Sequence, residues 1–158
     1  MTTPTADTEI DPAKIQAYLQ TTYCVNLETE MLSLNIGTQH NTLTDLFSTH
    51  AVNCGAFITA YNPEGTVQPS DLNESAHDLL LDRVNSLGLK SLEAHTQTHT
   101  EAHEHTHEHA EGSHWPTEHG LFVLGIALEQ AQSLARDFDQ DALVWVDSDL
   151  IPVLILLR

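Results

Sequence analysis

Residues 142–157 read Ala-Leu-Val-Trp-Val-Asp-Ser-Asp-Leu-Ile-Pro-Val-Leu-Ile-Leu-Leu. Two apolar runs, 142–146 and 153–157, flank an Asp147-Ser148-Asp149 turn. The connection is too short for the crossover that parallel neighbours need, so they read as an antiparallel pair of closing strands. Just upstream, Leu128, Ala131, Leu134, Ala135 and Phe138 recur at helical spacing, and residues 121–126 form a strongly apolar strand. Further back, Ser70 reads as an N-cap with Asp71 and Glu74 in the first turn, where the positive end of a helix favours them. That helix presents Leu72, Leu79, Leu80 and Val84 as its inner face up to Gly88. Residues 56–61 read as a buried strand closed by Asn62-Pro63 and Gly65, and residues 89–92 as a weak strand. Asn41 is placed to cap a helix through Phe47, residues 31–36 alternate as a strand, and residues 13–19 carry a short helical pattern. The predicted fold class is α+β: a single domain over residues 13–158, with a mixed, mostly antiparallel sheet, flanking helices and a His-rich loop at 95–114. Residues 1–12 are Thr-rich and acidic and read as a flexible tail.

Composition narrows the partners. The 158 residues are 41% hydrophobic, enough for a core, yet only 5 Lys and Arg oppose 23 Asp and Glu, for a net charge of -18. Neutralising nucleic-acid phosphates needs clustered cations, and Lys14, Arg83, Lys90, Arg136 and Arg158 are scattered. An anionic membrane surface repels such a chain as well. The N-terminus has no basic or apolar signal region, and the longest apolar stretch, 151–157, is broken by Pro152, so the expectation is a cytoplasmic protein with no membrane span. Cys24 and Cys54 match neither a disulfide framework nor a zinc-knuckle spacing; they read as reduced structural thiols, with a single bridge as the alternative.

Of the 11 histidines, His95, His99, His103, His105, His107, His109, His114 and His119 crowd one segment that holds five Glu and no Lys or Arg. A helix would stack His95, His99, His103 and His107 on one face; a strand would align His103, His105, His107 and His109. Either spacing offers chelating imidazole pairs suited to zinc, nickel or copper. The competing reading is a solvated low-complexity insertion, since the segment is Thr-rich and has no apolar face to dock. Imidazoles titrate near pH ~6.5, so mild acid would turn the segment cationic and favour its docking on the acidic body. The stretch from His103 to His107 resembles an H-E-x-x-H zinc-protease pattern, but it lacks the apolar residues that bury such a helix, and in so His- and Glu-rich a segment the match is expected by chance.

A second constellation surrounds the strands. Thr59 and Tyr61 are expected on one side of their strand, with Asn62 at its end and Asn73 in the opening turn of the next helix, a place where sheet-and-helix proteins gather ligands. The ordinary alternative is a turn and a satisfied helix terminus. The string Phe57-Ile58-Thr59-Ala60-Tyr61-Asn62-Pro63, then Asn73, then Trp115 with Glu118, then Phe138-Asp139-Gln140-Asp141-Ala142, resembles the bacterial family catalogued as domain of unknown function 3293, over residues 15–156. The resemblance implies a small single-domain protein with Thr59, Asn62, Pro63, Asn73, Glu118 and Gln140 at the family's polar positions, and makes the His tract an elaboration of this member.

Two functions follow as expectations. One is a small-molecule binding or catalytic domain, with Thr59, Asn62, Asn73 and Gln140 as uncharged hydrogen-bonders and Glu118, or its neighbours His114 and His119, as general base. The alternative is a non-enzymatic metal buffer or chaperone using His95, His99, His103, His105, His107 and His109. No nucleophile stands beside a base in the sequence, and no phosphate-cradling loop occurs.

Overall fold

The computed structural model describes residues 8–63, 66–97 and 117–158. Along them run α1 (Pro12–Gln20), β1 (Thr22–Asn26), β2 (Met31–Asn35), α2 (Thr42–Thr49), β3 (Gly55–Thr59), α3 (Ser70–Ser86), β4 (Lys90–Gln97), β5 (His119–Leu124), α4 (Leu128–Asp137), β6 (Ala142–Val146) and β7 (Val153–Leu156). The strands form one sheet in the order β2-β1-β4-β5-β3-β6-β7. The fold is α+β as expected, and the expected predominance of antiparallel pairing extends to every described pair. The closing strands pair with Val144 opposite Leu154. Among the described residues, no helix is long and apolar enough to cross a membrane.

Both sheet faces are apolar because successive side chains alternate between them. One face sets Ala56, Ile58, Leu121, Val123, Leu143 and Trp145 against Leu80 and Val84 of α3 and Ala131, Leu134 and Ala135 of α4. The other gathers Tyr23, Val25, Phe57, Phe122, Leu124, Val144 and Val146, and α2 inserts Leu43 and Phe47 into it. Phe47 stacks on Phe122 with ring centres 6.4 Å apart. The sheet curls around this second core, and loops join near its two edge strands: Gly37 N–H donates to Pro152 O at 2.9 Å and His40 N–H to Leu150 O at 3.0 Å. With α2 at the end marked by Val25, Leu124 and Val146, the opposite mouth lies under α1.

Several local expectations give way to tertiary demands. Strand β1 has no counterpart in the periodicity reading, because four successive residues, Thr22 to Val25, are buried on both faces and no alternation results. Strand β4 runs on through His95 to Gln97, beyond the weak strand expected at 89–92. The buried stripe of α3 is Asn73, Leu80 and Val84, whereas Leu72 and Leu79 are exposed: a polar residue occupies the inner face, which shifts its phase. Pro69 is the N-cap of α3 and Ser70 makes no capping bond; Pro69 O accepts the Leu72 and Asn73 N–H groups instead. Asn41 likewise precedes α2 without a side-chain capping bond. At α1, Asp11 accepts from Ala13 N–H at 3.0 Å and Pro12 occupies the first turn, while Ile10 is buried. Cys24 and Cys54 are both free.

One close approach fixes β3 against β5. Gly120 pairs with Thr59, and a Cβ added there would lie 2.6 Å from Ile58 O and 3.0 Å from the Phe57 ring. Gly120→Ala is expected to destabilise by about 1–3 kcal/mol through forced displacement of strand backbone. Urea unfolding reads this as a lower midpoint at unchanged slope; an unmoved midpoint contradicts the close packing.

Candidate functional site

At the α1 mouth the curled sheet encloses a cavity of about 300 Å³, the lower end of the range usual for small-molecule sites. Its floor is the sheet: Tyr23 of β1, Thr96 of β4, Phe57 and Thr59 of β3, and Ala142 and Val144 of β6, with Glu118 just before β5. Ala13, Lys14, Ala17 and Tyr18 of α1 line its roof, and Asn62 and Gln140 its rim. Four of the residues singled out from sequence, Thr59, Asn62, Glu118 and Gln140, thus border a single concavity. Asn73 stands behind them, buried, and reaches the cavity only through Asn62.

The side chains are joined by hydrogen bonds. Asn62 has a left-handed backbone, φ 48°, which asparagine tolerates better than most residues. Its N–H donates to Asn73 Oδ1 at 2.9 Å, and its Oδ1 accepts from Asn73 Nδ2 at 3.0 Å and from Gln68 N–H at 3.1 Å. Gln68 Nε2 donates to Asn73 Oδ1 at 2.8 Å. With that end saturated, Asn62 Nδ2 donates to Glu118 Oε2 at 2.9 Å. The Glu118 main chain is held as well, its N–H donating to Thr96 Oγ1 and its carbonyl accepting from Thr96 N–H, both at 2.9 Å. Thr59 Oγ1 donates to His119 O at 2.6 Å and accepts from Tyr61 N–H. Gln140 Nε2 donates to Tyr61 O at 3.1 Å and to Phe138 O at 3.3 Å. Thr59, Asn62, Asn73 and Gln140 therefore position the wall, and Glu118 is the charged group they present to the cavity.

Sequence reasoning missed the roof. Asp141, its side chain fully buried, accepts from Arg158 Nε at 2.7 Å and, at 3.4 Å each, from Lys14 Nζ and the Tyr18 hydroxyl. This clamp fastens α1 over the cavity, and Tyr23 adds to it by donating its hydroxyl to Tyr18 O at 2.8 Å. Burial pushes the Tyr18 phenol well above its ordinary value, and the charges of Asp141 and Glu118 push it further. Burial also raises Tyr23, with help from Tyr18 and Glu118.

Other expected members lie elsewhere. Tyr61 leaves the side that Thr59 faces, because β3 ends at Thr59, and its ring packs edge-on against His77 and His119. His119 faces away from Glu118, as strand alternation requires, and does not line the cavity. His95 lies in β4 on that same opposite face, its ring 6.3 Å from that of His119. His99, His103, His105, His107, His109, His114 and Trp115, with the H-E-x-x-H resemblance and the acid-docking expectation, lie outside the described residues. Among the described residues, no three His, Cys, Asp or Glu side chains are grouped to hold a metal ion.

The tyrosines give a pH signature. Unfolded phenols ionise near pH 10.0, whereas Tyr18 and Tyr23 keep their protons in the fold. Their contribution to stability is complete below about pH 10 and falls as the pH rises beyond it, because only the unfolded chain then loses those protons. Urea midpoints between about pH 9 and about pH 11 are expected to drop, and Tyr18→Phe to flatten the drop. Equal slopes in both proteins would contradict the buried phenol.

No curated protein and no solved structure matches this chain. Residues 58–143 match the family described as "Protein of unknown function (DUF3293)", a narrower span than the resemblance over residues 15–156. That span contains Thr59, Asn62, Asn73, Glu118 and Gln140, while α1, β1 and β7 lie outside it. With more than half its length matched, and with the polar wall inside the matched part, the chain belongs to this family.

Proposed function

We propose that the protein binds a small organic molecule in the α1 cavity, with an amine or other N–H-rich head group meeting Glu118 and an apolar body on Phe57, Val144 and Tyr23. The observation that carries this reading is the hydrogen-bonded series Gln68–Asn73–Asn62–Glu118, which fixes one carboxylate at the wall of an otherwise largely apolar concavity. Among the described residues, two carboxylates, Glu118 and Asp11, line the cavity with one cation, Lys14, which Asp141 engages at 3.4 Å, and this balance favours a cationic head group over an anionic one. Two unit charges about 4 Å apart interact by roughly 4 kcal/mol at a protein-like effective dielectric, so the sign of the head group decides selectivity. Glu118 is then the group that accepts a proton or hydrogen bond from the ligand.

Three probes of similar size test it: benzylamine, benzyl alcohol and benzoate. Amide chemical shifts of Tyr18, Thr59 and Glu118 are expected to move with benzylamine at concentrations about tenfold lower than with benzoate, equivalent to about 1.4 kcal/mol. Glu118→Gln removes the preference, and Ala17→Trp, which fills the cavity from its roof, removes binding of all three. Preference for benzoate, or shifts that survive Ala17→Trp, would overturn the proposal.

A further inference from the structure

Outside the cavity, on the α3 side of the sheet, His95 and His119 face one another across β4 and β5. The adjacent pair, Thr96 with Glu118, is hydrogen-bonded, Thr96 N–H donating to Glu118 O at 2.9 Å. Since such pairs alternate along an antiparallel ladder, His95 and His119 occupy the closer, non-hydrogen-bonded type of position, with Cα atoms about 4.5 Å apart. Their ring centres are 6.3 Å apart and the rings are inclined by 53°. Two imidazoles that share an ion at ~2.0–2.1 Å from each nitrogen have centres about 5–6.5 Å apart, so modest rotation of either ring suffices.

We propose that His95 and His119 form a two-imidazole chelate for a divalent transition cation, taken most tightly as Cu²⁺ by the general order of nitrogen-site affinities. The surroundings favour it. His95 is half-buried and His119 exposed, so an ion has access. Tyr61 packs on His119 at 5.6 Å, which limits its rotation. Glu93, two residues before His95 on the same face, adds negative charge while it engages His77 Nε2 at 3.1 Å. Two protein ligands leave the remaining positions to water, so the site exchanges its ion readily, as a transfer site does and a structural zinc site does not.

The test uses the full chain with His99, His103, His105, His107, His109 and His114 replaced by Gln, so that only the strand pair is read from this segment. Cu²⁺ is titrated and followed by electron paramagnetic resonance, with the H95Q/H119Q double variant in that background as baseline and circular dichroism to verify folding. The expected result is one Cu²⁺ above baseline with two imidazole nitrogens, weakened about 10–100-fold by either H95Q or H119Q alone. A titration identical to baseline, or binding that either single variant leaves intact, overturns the proposal. Neither result bears on the cavity, which these substitutions do not touch.

Discussion

The wall of the cavity depends on how one asparagine is satisfied. Asn62 turns the chain out of β3 in a left-handed conformation, and its buried amide has to find partners without water. Asn73 supplies them reciprocally from the first turn of α3, so strand end and helix start are locked amide to amide. One donor remains, and it reaches Glu118. A carboxylate brought near apolar surface is costly unless hydrogen-bonded, and this arrangement meets the cost with groups already fixed by the fold. The polar residues of this wall thus have a physical reading as one carboxylate and the groups that hold it.

Asp141 plays the corresponding part for the roof. The chain leaves α4 through Asp139 in a left-handed conformation, φ 58°, which turns Gln140 and Asp141 inward together. Gln140 closes the rim through Tyr61 O, and Asp141 draws in Lys14, Tyr18 and Arg158. Because Lys14 and Arg158 are partly exposed, they offset the buried charge without being sealed away with it. Rim and roof are therefore fastened by neighbouring residues of one turn.

The sequence was most legible where a pattern is local. The apolar runs of β5, β6 and β7 and the helical spacing of α4 announce themselves, and the turn-forming Asn62-Pro63 points to a site at the end of β3. Legibility stopped where partners are remote. Strand β1 shows no alternation because both its faces are covered, so Tyr23 was not seen as part of a floor. Nothing near Lys14 or Tyr18 signals an aspartate far along the chain. In α3 the expected inner face of Leu72, Leu79, Leu80 and Val84 holds only for the last two: the buried stripe runs Asn73, Leu80 and Val84, and Leu72 and Leu79 face solvent.

The strand order carries a kinetic corollary. Tyr23 lies opposite Thr96, and Lys14 meets Asp141 from 127 positions away, so both contacts close long loops. Contacts of that kind are slow to form because chain entropy must be surrendered before any attraction is gained. The hairpin of β6 and β7 and the helices carry no such burden. The roof beneath which the cavity lies is therefore built from both ends of the described chain, and a fragment without α1 or Arg158 would lose the roof or part of its clamp.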